Sequence, residues 1–484
     1  MKKIMNLADR HARALGLLLA AVLAALTAVL NVSRGPLSNL NDIGGWTNRM
    51  AFIALAAAAH AAVLAMQALL NRKEFGRLAL RQVLTTLGFL LLTLPINQKT
   101  LLFTEQVLPL VRKMDAMGLA AANESALNLS APALTLLYAV TRGPIYDMYS
   151  IKLLCVVCNL GLAILAAHAA DRRNWGVRAE VLLTLCLILP QGFLAVGCAG
   201  QMDIVSAFLL CAALTLLDGE GHPLAAMLVY GAAAAMSGAA LYALPLVGLM
   251  GKKCGVKLRH AGAAAGVAAA LCLPALLGGM TAGNVFASLF KAVFALPEYA
   301  AGVPNFESVI PRAAMEEMPQ YGLLRQIPAL DPQTNASPFY TQTHFEIMTR
   351  GMTIAALAMF VGLCAALKRD EKASGLRKAL SLALGAMLVC PGAGMGMWMP
   401  LCMLCLAAIL REPETRLPAC MVLFATAGGC CYPVTGEAPL APVYAFAICA
   451  AALFMLLGVI PGAKKKRGER PCRMKNGFAC AWSA

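Results

Sequence analysis

Apolar runs of roughly 20 residues recur along almost the whole chain, separated by short stretches rich in Lys and Arg, and few folds accommodate that pattern. A bilayer core about 30 Å thick takes about 20 apolar residues per helix, and a chain inside it must satisfy its backbone N–H and C=O groups internally. Only 13% of the residues are charged and 60% are hydrophobic. Soluble proteins carry roughly a quarter charged residues, so a water-soluble core is excluded. A chain of 484 residues with this pattern predicts many crossings rather than several soluble domains.

The formal net charge of +16 raises nucleic acid as a partner, but its distribution argues against one. The basic clusters are the N-terminus (Lys2, Lys3, Arg10, Arg13), Asn71 to Arg81, Asp171 to Arg178, Lys252 to Arg259, Lys368 to Lys378, Arg411 to Arg416, and the tail from Lys464. They sit between apolar runs, where positive charge orients membrane helices, and form no basic face. Placing all seven on one side predicts a multi-pass protein of the cell membrane with cytoplasmic N- and C-termini. The run from Ala12 to Val32 lacks a small-residue cleavage site, so the first helix is expected to remain as an anchor.

With that constraint the pattern predicts helices at 12–31, 49–70, 82–96, 149–170, 181–196 and 201–217, the last after a tight turn at Gly197 to Gly200. The stretch 223–250 reads as a hairpin of two short helices bent at Met236-Ser237-Gly238. Further helices are expected at 261–277, 348–367, 379–389, 398–410, 417–430 and 443–459. The mixed segment 97–146 is kept outside or shallowly inserted, because its apolar part from Ala131 to Val140 spans only about 15 Å as a helix. The expectation is an all-α polytopic membrane protein of about 12–14 transmembrane segments with large extracytoplasmic loops. It divides into a two-helix extension (1–81), a transmembrane module with a first outer loop (82–281, loop 97–146), a large outer loop (282–346), C-terminal helices (347–462) and a basic cytoplasmic tail (463–484).

The 17 cysteines are scattered in apolar runs, as at Cys155, Cys158, Cys198, Cys272 and Cys430, where they behave as small hydrophobes. The Cys155–Cys158 C-x-x-C lacks a second pair or a histidine cluster, so packing is the expected role. The six histidines are dispersed, and no metal site is assigned. A divalent cation, if one is used, must draw on outer carboxylates, of which the sequence supplies no defined set. Met395, Met397, Met399 and Met403 beside Trp398 read as packing at a helix start rather than as a copper site.

Five features then fall in order on the side opposite the basic clusters. They are Asn128-Leu-Ser-Ala-Pro132 followed by Tyr149-Ser-Ile-Lys-Leu153, then Gly200-Gln-Met-Asp-Ile204, Tyr242-Ala-Leu-Pro245, Pro304-Asn-Phe306, and the pair Pro391 and Pro400. Together they resemble the GT-C superfamily, in particular bacterial proteins similar to GPI-anchor mannosyltransferases. Gly200 to Ile204 is the most specific match, being similar to that family's Trp-Gly-Gln-x-Asp motif. The resemblance covers about residues 82–412, making 82–281 a GT-C-like module within a GT-C-like helical bundle. Where the family carries an acid in its first outer loop, Glu105 is the nearest one here. The family's hairpin Lys and Gln are replaced by Ser237 and Ala239, and its Arg- and His-containing block by Gly392 to Met397.

The resemblance implies transfer of a mannose-like hexose from a polyprenyl-phosphate-linked sugar to a glycan or lipid acceptor on the extracytoplasmic face, among membrane lipids. An acid must take the acceptor proton and cations must stabilise the departing phosphate. Asp203 is the expected catalytic acid, with Glu105 as a replacement base; a helix cap for Asp203 and simple solvation for Glu105 are the plainer roles. Substrate contacts fall to Gln201, Lys152, Asn305 and Tyr149. Against these stand a satisfied turn for Gln201, snorkelling to the interface for Lys152, and a post-proline turn for Asn305. A second reading is an inactive relative that binds the lipid carrier or scaffolds surface-glycan assembly. A third, a transporter or flippase, requires polar residues at mid-depth.

Overall fold

The computed structural model describes residues 11–33, 45–71, 75–101, 103–124, 129–143, 145–173, 178–218, 222–294, 304, 354–365, 375–390, 394–431, 434 and 440–457. Among them there is no strand. Three helices open the chain: α1 (Ala12–Ser33), α2 (Gly45–Leu70) and α3 (Phe75–Thr93), the last running into a 3-10 turn at Leu94–Asn97. A π turn at Phe103–Val107 leads into α4 (Leu108–Met117), then come α5 (Ala131–Thr141) and the longest inner helix, α6 (Asp147–Arg172). The bundle continues with α7 (Ala179–Leu187), a π segment (Gly192–Cys198), α8 (Asp203–Asp218) and α9 (Pro223–Met236). A 3-10 turn (Gly238–Ala243) precedes α10 (Leu244–Lys253), α11 (Leu258–Leu277) and α12 (Ala282–Phe294). The C-terminal part holds α13 (Ile354–Ala365), α14 (Gly375–Val389), a 3-10 turn (Met395–Trp398), α15 (Met399–Arg411), α16 (Arg416–Gly429) and α17 (Ala441–Leu457).

Four of these helices are long and apolar enough to cross a membrane: Thr47–Leu70, Arg77–Asn97, Asp147–Arg172 and Leu258–Leu277. A fifth results if α7 and the following π segment are one span, bent by 55°. The sequence predicts a continuous helix over 181–196, and the structure breaks it because Pro190 lacks the N–H that would bond one turn back and its ring clashes with that turn. The hairpin expected over 223–250 forms as α9, the 3-10 turn and α10, with Ser237 extended at the bend. The outer segment expected from 282 begins with a helix, α12, rather than as loop. Most of its remainder lies outside the described residues.

Helix α6 is the axis around which the rest packs, with Cys155, Cys158 and Asn159 all buried among apolar neighbours. Its far end is pinned by charge. Arg81 of α3, only 2% exposed, pairs with Asp171 at the end of α6, and its guanidinium also reaches Glu180 of α7 at 3.1 Å and Asn71 after α2. Arg173 binds Asp218 at the end of α8 through two bonds of 2.7 and 2.6 Å. A buried guanidinium in a low-dielectric interior is tolerable only when its donors are taken, and here acceptors from three elements take them. One end of α3, α6, α7 and α8 is thereby held in a single register.

At the opposite end α5 packs against α6 and α11 instead of lying apart. Ser130 caps α5, accepting from Ala133 N at 3.3 Å, and donates to Ala235 O at 2.6 Å at the hairpin bend. Ala131 N donates to Ser288 Oγ of α12 at 2.8 Å. The Leu129 to Pro132 part of the first motif therefore ties three elements at one end of the bundle.

Candidate functional site

The turn from Gly197 to Gly200 folds the chain back between the π segment and α8. Backbone bonds from Ala199, Gly200 and Gln201 N–H to Leu194, Val196 and Ala195 carbonyls close it, at 2.9 to 3.1 Å. Gly200 adopts φ +64°, the left-handed region where a side chain is strained. A Cβ there would also lie 2.9 Å from Cγ of Lys152, so the glycine lets the turn lie directly on the lysine stem. At Gly197 a Cβ would meet the Leu92 carbonyl at 2.8 Å, which seats the turn on the end of α3.

Asp203 is the first residue of α8 and is half-buried. Its Oδ2 accepts a 2.7 Å bond from the Gly394 N–H, and Gln201 Oε1 accepts one of 2.9 Å from the Gly396 N–H. The acid thus serves neither as a cap for its own helix nor as the partner of Lys152; with Gln201 it grips a distant segment, 394–398. The approach is close enough to demand glycine. A Cβ at Gly394 would stand 2.5 Å from Asp203 Oδ2, and one at Gly396 2.8 Å from Ile204 N.

Lys152, one turn into α6, is wholly buried and does not snorkel. Its ammonium donates to the Gln98 carbonyl and sits 5.7 Å from the centre of the Phe103 ring, a distance at which the ring's negative face attracts a cation. No ion pair joins it to Asp203 among the described residues. Phe103 begins the π turn that carries Glu105, whose own side chain is exposed. The segment around Glu105, Lys152, and the turn before Asp203 are therefore neighbours in one wall, although the two acids have different surroundings. Tyr149 lies in the core, 1% exposed, its ring edge-on to Phe52 at 5.4 Å and to Tyr146 at 5.9 Å. Asn305 lies outside the described residues, and its neighbour Pro304 is buried.

Sequence reasoning misses Gly394, Gly396, Gln98 and Phe103 as parts of this wall. The alternation Gly392-Ala-Gly-Met-Gly-Met397 carries a signal, since glycine at every second position marks backbone that must approach something closely. Gln98 and Phe103 leave no such trace. Polar groups also occur at mid-depth. His60 Nε2 meets Thr86 Oγ1 at 3.1 Å, and Gln191 donates to Leu423 O and to Thr426 Oγ1 at 3.0 and 2.9 Å. These groups are buried and bonded between helices, and polar side chains at mid-depth are what the transporter reading requires. No group of three or more His, Cys, Asp or Glu side chains suited to a metal ion occurs among those residues. Comparison with protein-family models, with curated proteins and with solved structures finds no match for this chain.

Proposed function

We propose that this chain is an integral membrane glycosyltransferase homologue of GT-C-like fold that takes a polyprenyl-phosphate-linked hexose on the extracytoplasmic face, with Asp203 as the acid that accepts the proton of the acceptor hydroxyl. One observation carries the reading: the three residues singled out for acid, amide and cation, Asp203, Gln201 and Lys152, converge on a single turn. Asp203 and Gln201 keep part of their surface open, as groups that meet a substrate must. The Arg81 cluster and the Arg173–Asp218 pair lie at the other ends of the same helices, which agrees with basic residues on the cytoplasmic side. Seven shorter apolar helices accompany the four or five long ones among the described residues.

A specific observation favours a second reading, an inactive relative that holds the lipid carrier. Asp203 already binds a backbone amide and Lys152 a backbone carbonyl, so each must exchange that partner for a substrate group. Transfer from radiolabelled polyprenyl-phosphate sugars to added acceptors by the reconstituted chain, with Asp203→Asn as control, separates the two. Labelled product from the unaltered chain alone supports the transferase; donor that stays bound without turnover replaces it by the carrier-binding relative.

A further inference from the structure

A cavity of about 230 Å³ lies between α6, α8, α14 and α15, closed on its remaining side by the 3-10 turn 238–243 and α10. Its walls are apolar, among them Leu162, Leu214, Ala383 and Leu404, and its two ends differ. Trp398 and Tyr242 stand at one. At the other are His168, Arg172 and the Arg173–Asp218 pair. Arg173 is neutralised by its two bonds to Asp218, whereas Arg172 is exposed and has no hydrogen-bond or ion-pair partner among the described residues.

The dimensions and the charge identify an occupant. Along α6 the groove runs from Leu162 to Arg173, and along α14 from Gly375 to Ala386, about 16 Å at 1.5 Å per residue in each case. Half of a bilayer core about 30 Å thick is close to that length, so the groove matches one leaflet. A hydrocarbon tail explains the apolar walls, and an anion explains a guanidinium left at the mouth. We propose that the groove seats one anionic phospholipid of the leaflet at the Arg172 end, its acyl chain between α6, α8, α14 and α15 and its phosphate on Arg172. A polyprenyl phosphate placed for the chemistry at Asp203 has its charge at the wrong end, since Lys152 and Arg172 are about 30 Å apart along α6. The assignment is therefore independent of the transferase reading.

Native mass spectrometry of the full chain, released from micelles containing equal amounts of phosphatidylglycerol and phosphatidylcholine, tests it. The expected result is one retained phosphatidylglycerol per chain in preference to phosphatidylcholine. Arg172→Gln should lower that preference about fivefold, the worth of one basic residue near an anionic surface, and Arg172→Lys should keep it. Ala383→Trp, which fills the groove, should abolish retention of both lipids. Equal retention of the two lipids by the unaltered chain overturns the proposal, as does an unchanged preference in R172Q or full retention in A383W. Displacement of the phospholipid by added polyprenyl phosphate, in a manner that R172Q weakens, reassigns the groove to the carrier and also overturns it.

Discussion

Two substitutions at Asp203 separate its structural bond from its chemistry. Asn keeps an oxygen that can accept from the Gly394 N–H, now 2.7 Å from the carboxylate, but removes the charge and with it the ability to take a proton. A hydrogen bond to a charged group contributes about 1.5–3 kcal/mol and a neutral one about 1 kcal/mol. Asp203→Asn is therefore expected to cost about 1 kcal/mol. Asp203→Ala strands the amide as well and should cost about 2–3 kcal/mol. Reversible denaturant titration in mixed micelles measures both losses, and the transfer assay run on the same preparations measures chemistry. The expected pattern is a mild destabilisation with no transfer in D203N, and a larger destabilisation with no transfer in D203A. Equal destabilisation by the two variants refutes the bond to Gly394 as the structural role of the acid. Undiminished transfer by D203N removes Asp203 from the reaction.

The remaining predictions concern the wall around that acid and the pinned end of the bundle. Gly396→Ala places a Cβ 2.8 Å from Ile204 N and 3.1 Å from Gln201 O, backbone atoms with little room to yield; overpacking should cost about 1–3 kcal/mol by the same titration and lower transfer in parallel. Arg81→Ala takes from the partly exposed Asp171 and Glu180 their shared cation and should cost about 1.5–3 kcal/mol, whereas Arg81→Met with both acids made neutral amides should recover much of the loss. Lys152→Met keeps the stem that packs on Gly200 and removes a buried charge, so stability should change by less than about 1.5 kcal/mol while retention of a polyprenyl-phosphate donor falls. Unchanged donor retention in that variant takes Lys152 out of the site.

Much of the helical layout was legible because long apolar helices are written in local pattern. The apolar run 149–170 became α6, the hairpin of 223–250 bent at Ser237, and the run 443–459 became α17, each within a few residues. The break in 181–198 was missed, although Pro190 marks it, and the magnitude of the bend depends on what α7 and the π segment pack against. The site divides in the same way. Asp203 and Gln201 stood out as polar residues in an apolar setting, and Lys152 as a cation inside a span. Their partners did not, since the Gln98 carbonyl and the amides of Gly394 and Gly396 are backbone groups with no side chain to advertise them.

Composition and periodicity alone determine that this chain is largely helical, with long apolar runs that are basic at their ends, because side-chain pattern and backbone hydrogen bonding act on each segment separately. What each charged residue binds was decided only by tertiary structure. Arg81 reaches Asp171 and Glu180 across 90 and 99 positions of sequence, and Asp203 reaches Gly394 across 191. Such partners are chosen by which helix ends the packing brings together, and no local pattern encodes that choice.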